Sequence, residues 1–271
     1  MGFCHARIAF QRAIICLGVA CVVLVIGSMP ASAQFYVRSP DVDKGETEFE
    51  EHGAVFTGPG SDEHLRQSHE VEAKYGFTGR LEGIVEGFFD QPIGDDLKAE
   101  QFELGGQYEI IKHEWDGVRL GVRAIYEFSL QDHSPDEIQF GPLAKWVKGR
   151  NTAMINTFFV GQVGNDVEID SLEFQLNWQL KRELSEQLAV GVEGFSEISD
   201  LAHAGSFDDQ LHRIGPVVYL NLGEHEGEEA SGAEREERPE GVEWDLAAGV
   251  LFGLSEATSD ATFKFDIEAE F

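Results

Sequence analysis

From residue 46 onward the sequence keeps returning to one pattern: apolar and polar residues alternate for about ten residues at a time. A strand places successive side chains on opposite faces, so each such segment reads as a strand with one apolar and one polar face. In Val118–Phe128 one face carries Val118, Leu120, Val122, Ala124, Tyr126 and Phe128; the other carries Arg119, Gly121, Arg123, Ile125 and Glu127. Leu172–Lys181 sets Leu172, Phe174, Leu176, Trp178 and Leu180 against Glu173, Gln175, Asn177, Gln179 and Lys181. Val242–Leu254 and Ala261–Phe271 repeat the pattern. Glu70–Phe77, Leu81–Phe89, Phe102–Ile110, Ile138–Trp146, Thr152–Val160 and Leu188–Ser196 follow it more weakly. Residues 46–56 and 211–222 also read as strands, with their facing left open. The expected count is twelve, with ten or fourteen as alternatives. Globular strands average about five or six residues, whereas about ten suit a tilted bilayer crossing. The fold expected is an all-β, antiparallel, up-and-down transmembrane barrel.

The start of the chain reads as an export signal. Arg7 and Arg12 precede an apolar run from Ala13 to Gly27, and Ala31 and Ala33 frame a small-residue cleavage site. The run is short of the roughly 20 residues that a membrane helix needs. The expected organisation is a cleaved signal peptide over 1–33, a periplasmic segment over 34–45 and a barrel over 46–271. Whether 34–45 plugs the bore or trails outside it stays open. Cys4, Cys16 and Cys21 all lie in the signal, so disulfides, thiolate metal sites and cysteine nucleophiles are excluded from the mature chain.

The charge balance is 20 basic against 50 acidic residues, which argues against nucleic acid as a partner. An apolar outer face forces polar residues inward. The lumen candidates are Glu82, Glu86, Arg119, Arg123, Glu127, Gln175, Asn177, Lys181, Glu193, Glu243, Asp245, Lys264, Asp266 and Glu268. An acidic lining favours cations. Arg119 and Arg123 share one side of a strand and, with opposing carboxylates, suit a constriction or an anion site. The plainer reading is an internal ion-pair network that fills the barrel. Residues 224–240, with eight Glu and two Arg, form a solvated acidic loop on the periplasmic side, where turns are usually short. With both termini at the periplasm, Trp146, Trp178 and Trp244 fall near that rim, and Tyr75, Tyr108 and Tyr219 lie in inward-running halves. Phe89, Phe102, Phe128, Phe140, Phe252 and Phe263 fall near the other rim, as aromatic girdles do.

Other chemistry is thin. His64 and His69, near Asp62, Glu63 and Glu70, match no metal-ligand spacing. Ser68-His69 and His133-Ser134 are sequence neighbours and would point to opposite faces, and no G-x-S-x-G occurs. No enzyme, cofactor or metal is expected.

The last segment ends on Phe271, and Phe263, Phe265, Ile267 and Phe271 closely resemble the C-terminal sorting signal of Gram-negative outer-membrane proteins. That resemblance implies outer-membrane lipid and the barrel-assembly machinery as partners and the outer membrane as location. The hairpin His69–Gly87, with Tyr75-Gly76-Phe77-Thr78-Gly79-Arg80-Leu81-Glu82 at its turn, resembles the early hairpin of a group of outer-membrane transporters. These are linked to the meta-pathway of phenol degradation, and the likeness covers residues 40–271. It implies a monomeric barrel passing small molecules, aromatic ones among them. The functional expectation is a channel or transporter for small solutes. Two alternatives stand beside it: a surface-interaction barrel with a plugged lumen, whose outer loops such as 57–66 and 198–209 do the work, and a soluble exported β-protein.

Overall fold

The computed structural model describes residues 35–58, 65–113, 116–131, 134–164, 167, 171–223 and 242–271. Twelve strands close on themselves: β1 (Thr47–Thr57), β2 (Leu65–Gly76), β3 (Leu81–Pro92), β4 (Lys98–Ile111), β5 (Gly117–Ser129) and β6 (Asp136–Lys148), then β7 (Asn151–Val163), β8 (Leu172–Glu183), β9 (Leu188–Ile198), β10 (Leu211–Asn221), β11 (Glu243–Gly253) and β12 (Ala261–Glu270). Each strand pairs antiparallel with its sequence neighbours, and β1 pairs with β12 to seal the sheet. No edge is left to template aggregation. Every alternating segment of the sequence becomes one of these strands. The short connections, such as 77–80 and 149–150, gather at one end of the barrel, here the turn end; the opposite end is the loop end. Twelve strands keep the long acidic connection at the turn end. Its residues 224–240, like the cleavage residues Ala31 and Ala33, lie outside the described residues.

The outer face is apolar. Phe102, Phe128 and Phe140 are exposed on it, and Phe102–Phe128, Phe140–Phe159 and Phe159–Phe174 make ring contacts across β4 to β8. Phe263, Phe265 and Ile267 lie on the outer face of β12. Phe271 meets Phe49 edge-on at 5.9 Å, where the Thr47 and Phe271 backbones pair. Tyr219, grouped by sequence with the girdle, instead turns inward and donates a hydrogen bond to Glu193 at 2.8 Å. The register also settles the two strands whose facing was open. Glu48, Glu50 and His52 turn inward on β1; Arg213, Gly215, Val217 and Tyr219 do so on β10.

Two Gly-Pro pairs interrupt the ladder without shifting it. Pairing of β6 with β7 lapses at Gly141-Pro142, and that of β10 with β11 at Gly215-Pro216. Proline has no N–H to give the neighbouring strand. The glycine beside it lets the backbones close up: a Cβ at Gly141 would overlap the Thr157 carbonyl, and one at Gly215 the Val250 carbonyl. Gly215→Val is therefore expected to destabilise the barrel by about 1–3 kcal/mol through overpacking. The check is the urea midpoint of the heat-modifiable folded form; an unchanged midpoint would show that the approach tolerates a side chain.

Candidate functional site

The N-terminal segment lies inside the barrel. This corrects its assignment to the periplasm and answers the question the sequence left open for residues 35 onward. The chain enters at the turn end, where Gly45 N–H donates to the Gly76 carbonyl at 2.8 Å. It then climbs the bore. Lys112 Nζ donates to the Val42 carbonyl at 2.6 Å, and Gln107 Nε2 to the Ser39 carbonyl at 2.9 Å. Asn156 clamps Arg38 from both sides: its Oδ1 accepts from the Arg38 N–H at 2.7 Å, and its Nδ2 donates to the Arg38 carbonyl at 2.9 Å. Tyr36 stacks on His52 at 4.0 Å. Phe35 packs edge-on against Phe56 and Phe195, with the Arg213 guanidinium over its ring at 4.6 Å. Phe35, Val37, Ala54, Phe56, Phe195 and Leu251 form an apolar plug across the bore. The physical reason is compensation. The segment exchanges charge with the wall in both directions: its Arg38 meets strand carboxylates and its Asp41 meets the strand cations Arg119 and Lys145.

Register and burial place the sequence candidates on the inward face. Glu82, Glu86, Arg123, Glu127, Asn177, Glu193, Lys264 and Asp266 are buried there. Arg119, Gln175, Lys181, Glu243 and Glu268 are partly buried, and Asp245 is exposed at the turn end. Glu86, Arg119, Arg123, Glu193, Lys264 and Asp266 belong to ion-pair networks. Arg38 reaches Glu70, Glu72 at 2.5 Å and Glu86 at 3.0 Å. Arg123 reaches Glu86 and, at 3.1 Å, Glu72. His52 sits between Glu50 (2.7 Å) and Asp266 (3.0 Å), and Lys264 between Glu193 (2.7 Å) and Asp266 (2.9 Å). Arg119, expected to pair with Arg123 in one site, instead binds Asp41 at 2.9 Å, and Lys145 joins it there. Burial alone would raise the Asp41 carboxyl, but Lys145 and Arg119 outweigh it and hold it below the usual carboxylate range. The carboxylate triads Glu70/Glu72/Glu86 and Glu48/Glu50/Glu268 have oxygens within 4.8 Å of one another. Protein cations already reach both, Arg38 and Arg123 in the first and Lys74 in the second. His69 faces outward to Glu51 at 3.1 Å, away from Glu70. Asp62, Glu63 and His64 lie outside the described residues.

Register reveals an arrangement that the strand-by-strand reading missed. Asp245, Glu268, Glu50, Glu72, Glu86, Glu103, Glu127 and Glu137 are direct cross-strand partners in succession, one per strand from β11 through β12 and β1 to β6. Directly paired residues have Cα atoms about 4.5–5.5 Å apart. The row starts near the foot of β11 at the turn end and finishes at the second residue of β6 at the loop end. It forms an acidic ladder winding up the bore wall. Glu72 Oε1, Glu103 Oε1 and Glu127 Oε1 are buried and lack a hydrogen-bond partner among the described residues. Two cavities flank the apolar plug. The one toward the turn end, about 350 Å³, is lined by Glu48, Lys145, Lys181, Asp245 and Glu268 among others. The other, about 110 Å³, is lined by Glu127, Glu137, Glu173 and Glu197 with Phe35 and Phe88. Of the ladder, the sequence reading named Glu86, Glu127, Asp245 and Glu268. It missed Glu50, Glu72, Glu103 and Glu137, although Glu72 and Glu103 lie in the alternating segments 70–77 and 102–110.

No family model matches the sequence, and no curated protein matches it either. Its backbone is similar to solved outer-membrane barrels. It superposes on an outer-membrane channel from Pseudomonas putida F1 with a TM-score of 0.54 at 10% identity, covering 89% of this chain and 98% of that one. It superposes on the NanC porin with a TM-score of 0.51 at 9% identity, covering 82% and 98%. The fold is that of outer-membrane channel barrels.

Removing Arg38 leaves Glu70 and Glu72 without its guanidinium, and breaking a buried pair costs about 3–5 kcal/mol. Arg38→Ala is expected to expose residues 35–46 to protease while the barrel stays heat-modifiable; equal protection in variant and parent would count against this anchoring. A carboxyl depressed in the folded state stabilises fully above its unfolded pKa and loses that contribution as pH falls through the folded value. Acidification through the Asp41 value should therefore loosen the segment, and Asp41→Asn should remove that step from the pH profile of proteolysis.

Proposed function

We propose that this chain is an outer-membrane channel for small solutes with a preference for cations. The observation that carries this reading is the acidic ladder, which offers a continuous line of carboxylates from one mouth of the bore to the other. In a narrow, low-dielectric passage such a line attracts cations and repels anions strongly. The likeness in fold to a porin and to an outer-membrane channel supports passage rather than catalysis. The resemblance of the β2–β3 hairpin to the phenol-pathway transporter group adds small aromatic molecules as a solute class. Biogenesis would run through export, signal removal after Ala33 and recognition of the β12 strand by the assembly machinery.

One observation favours the closed alternative. Residues 35–43 occupy the middle of the bore, and their apolar cluster separates the two cavities. Under that reading the barrel is a sealed support, and the outer connections, including the short 3₁₀ turns Leu201–His203 and Phe207–Asp209, face partners.

Single-channel recording in a planar bilayer under a salt gradient separates the two. Discrete steps with a zero-current potential on the cation side are expected. Glu127→Gln combined with Glu137→Gln should move that potential toward zero without loss of the steps. A correctly folded barrel that stays silent would establish the sealed reading instead.

A further inference from the structure

The turn-end cavity divides its charges between two sides. On the β5, β6 and β8 side, Arg119, Lys145 and Lys181 reach the bore. The carboxylate that meets the first two is Asp41, brought by the N-terminal segment. Lys181 takes no part in that contact. Its ammonium lies 5.3 Å from the centre of the Tyr219 ring and has no ion-pair partner among the described residues. On the β1, β11 and β12 side, Glu48, Glu50 and Glu268 crowd their carboxylate oxygens within 4.8 Å, and Asp245 pairs with Glu268 across the sheet. Lys74 reaches Glu48 and Glu50, whereas Glu268 makes no hydrogen bond or ion pair among the described residues. Lys145 and Lys181 on the first side and Glu48, Asp245 and Glu268 on the second line one cavity of about 350 Å³.

We propose that this cavity binds a small zwitterion across the bore, its carboxylate on Lys181 and its ammonium on Glu268. Asp41 shows from within the chain that the basic side accepts a carboxylate, and Lys74 that the acidic side accepts an ammonium. A solute with both groups gains a charge-assisted hydrogen bond at each end. A simple amine or a simple acid gains one and leaves the other protein charge unanswered, which in a partly desolvated site is costly. The volume is in the range of small-molecule sites. The route of entry rests on the channel reading; the binding itself does not.

The test uses the full refolded barrel in detergent and isothermal titration calorimetry with three probes of matched length: 5-aminopentanoate, pentylamine and pentanoate. The zwitterion should bind at least tenfold more tightly than either singly charged probe. Lys181→Met should weaken 5-aminopentanoate and pentanoate and leave pentylamine unchanged. Glu268→Gln should weaken 5-aminopentanoate and pentylamine and leave pentanoate unchanged. Equal affinity for the three probes, or unchanged zwitterion affinity in either heat-modifiable variant, overturns the proposal. If a variant fails to fold, the three-probe comparison on the parent protein decides alone. Tight zwitterion binding by a barrel that conducts nothing would sink the channel reading and leave this one standing; conduction without selective binding would do the reverse.

Discussion

A closed sheet with an apolar outer face must answer its inward charges inside its own bore. Closure of β1 on β12 turns one parity of every strand outward and the other inward, and the polar parity here is rich in acid. Carboxylates buried without partners are costly. Much of the interior follows from that constraint: Arg123 between Glu72 and Glu86, His52 between Glu50 and Asp266, and Lys264 between Glu193 and Asp266. The N-terminal segment joins this network by carrying Arg38 to Glu70, Glu72 and Glu86 and Asp41 to Arg119 and Lys145.

Strand tilt gives these charges a direction. A row of directly paired residues in a tilted sheet climbs the wall as it passes round it, so one acidic residue per strand becomes a ladder running from mouth to mouth. The segment that threads the bore crosses that ladder at Glu72 and Glu86, where Arg38 binds. Buried ion pairs are weak evidence for stability, since well-packed apolar residues often serve as well. In this bore they give the segment one register: the Asn156 clamp, the Arg38 contacts and the Asp41 contacts all have to be met together.

Much of the fold was legible in the residues. Alternation over Val118–Phe128 and Leu172–Lys181 identifies strands, and their length beyond the globular average points to a membrane-type barrel. The facing of β1 and β10 was not legible, because neither parity of 211–222 is clearly polar and 46–56 mixes Glu with apolar residues on both. Tyr219 looked like a girdle residue for the same reason. The candidate lumen residues came from parity alone, which places a side chain inside but says nothing of its partner. Arg119 and Arg123 therefore looked like one site, whereas the segment supplies Asp41 to the first and β2 and β3 supply Glu72 and Glu86 to the second. The inward course of residues 35–43 left no signature either. Phe35, Val37, Arg38 and Asp41 have no periodicity, and their partners are remote in sequence: Arg38 is clamped by Asn156, 118 residues away.

What the sequence by itself determined is the all-β class, strands of bilayer-crossing length and the sign of the interior, because a period of two is a local property that each segment states for itself. Only the tertiary structure decided register, and with it the ladder, the two-sided cavity and the seat of the N-terminal segment. Register is a relation between strands that a one-residue slip would reverse, and in this barrel it has to satisfy closure of β1 on β12 together with charges that meet across the bore.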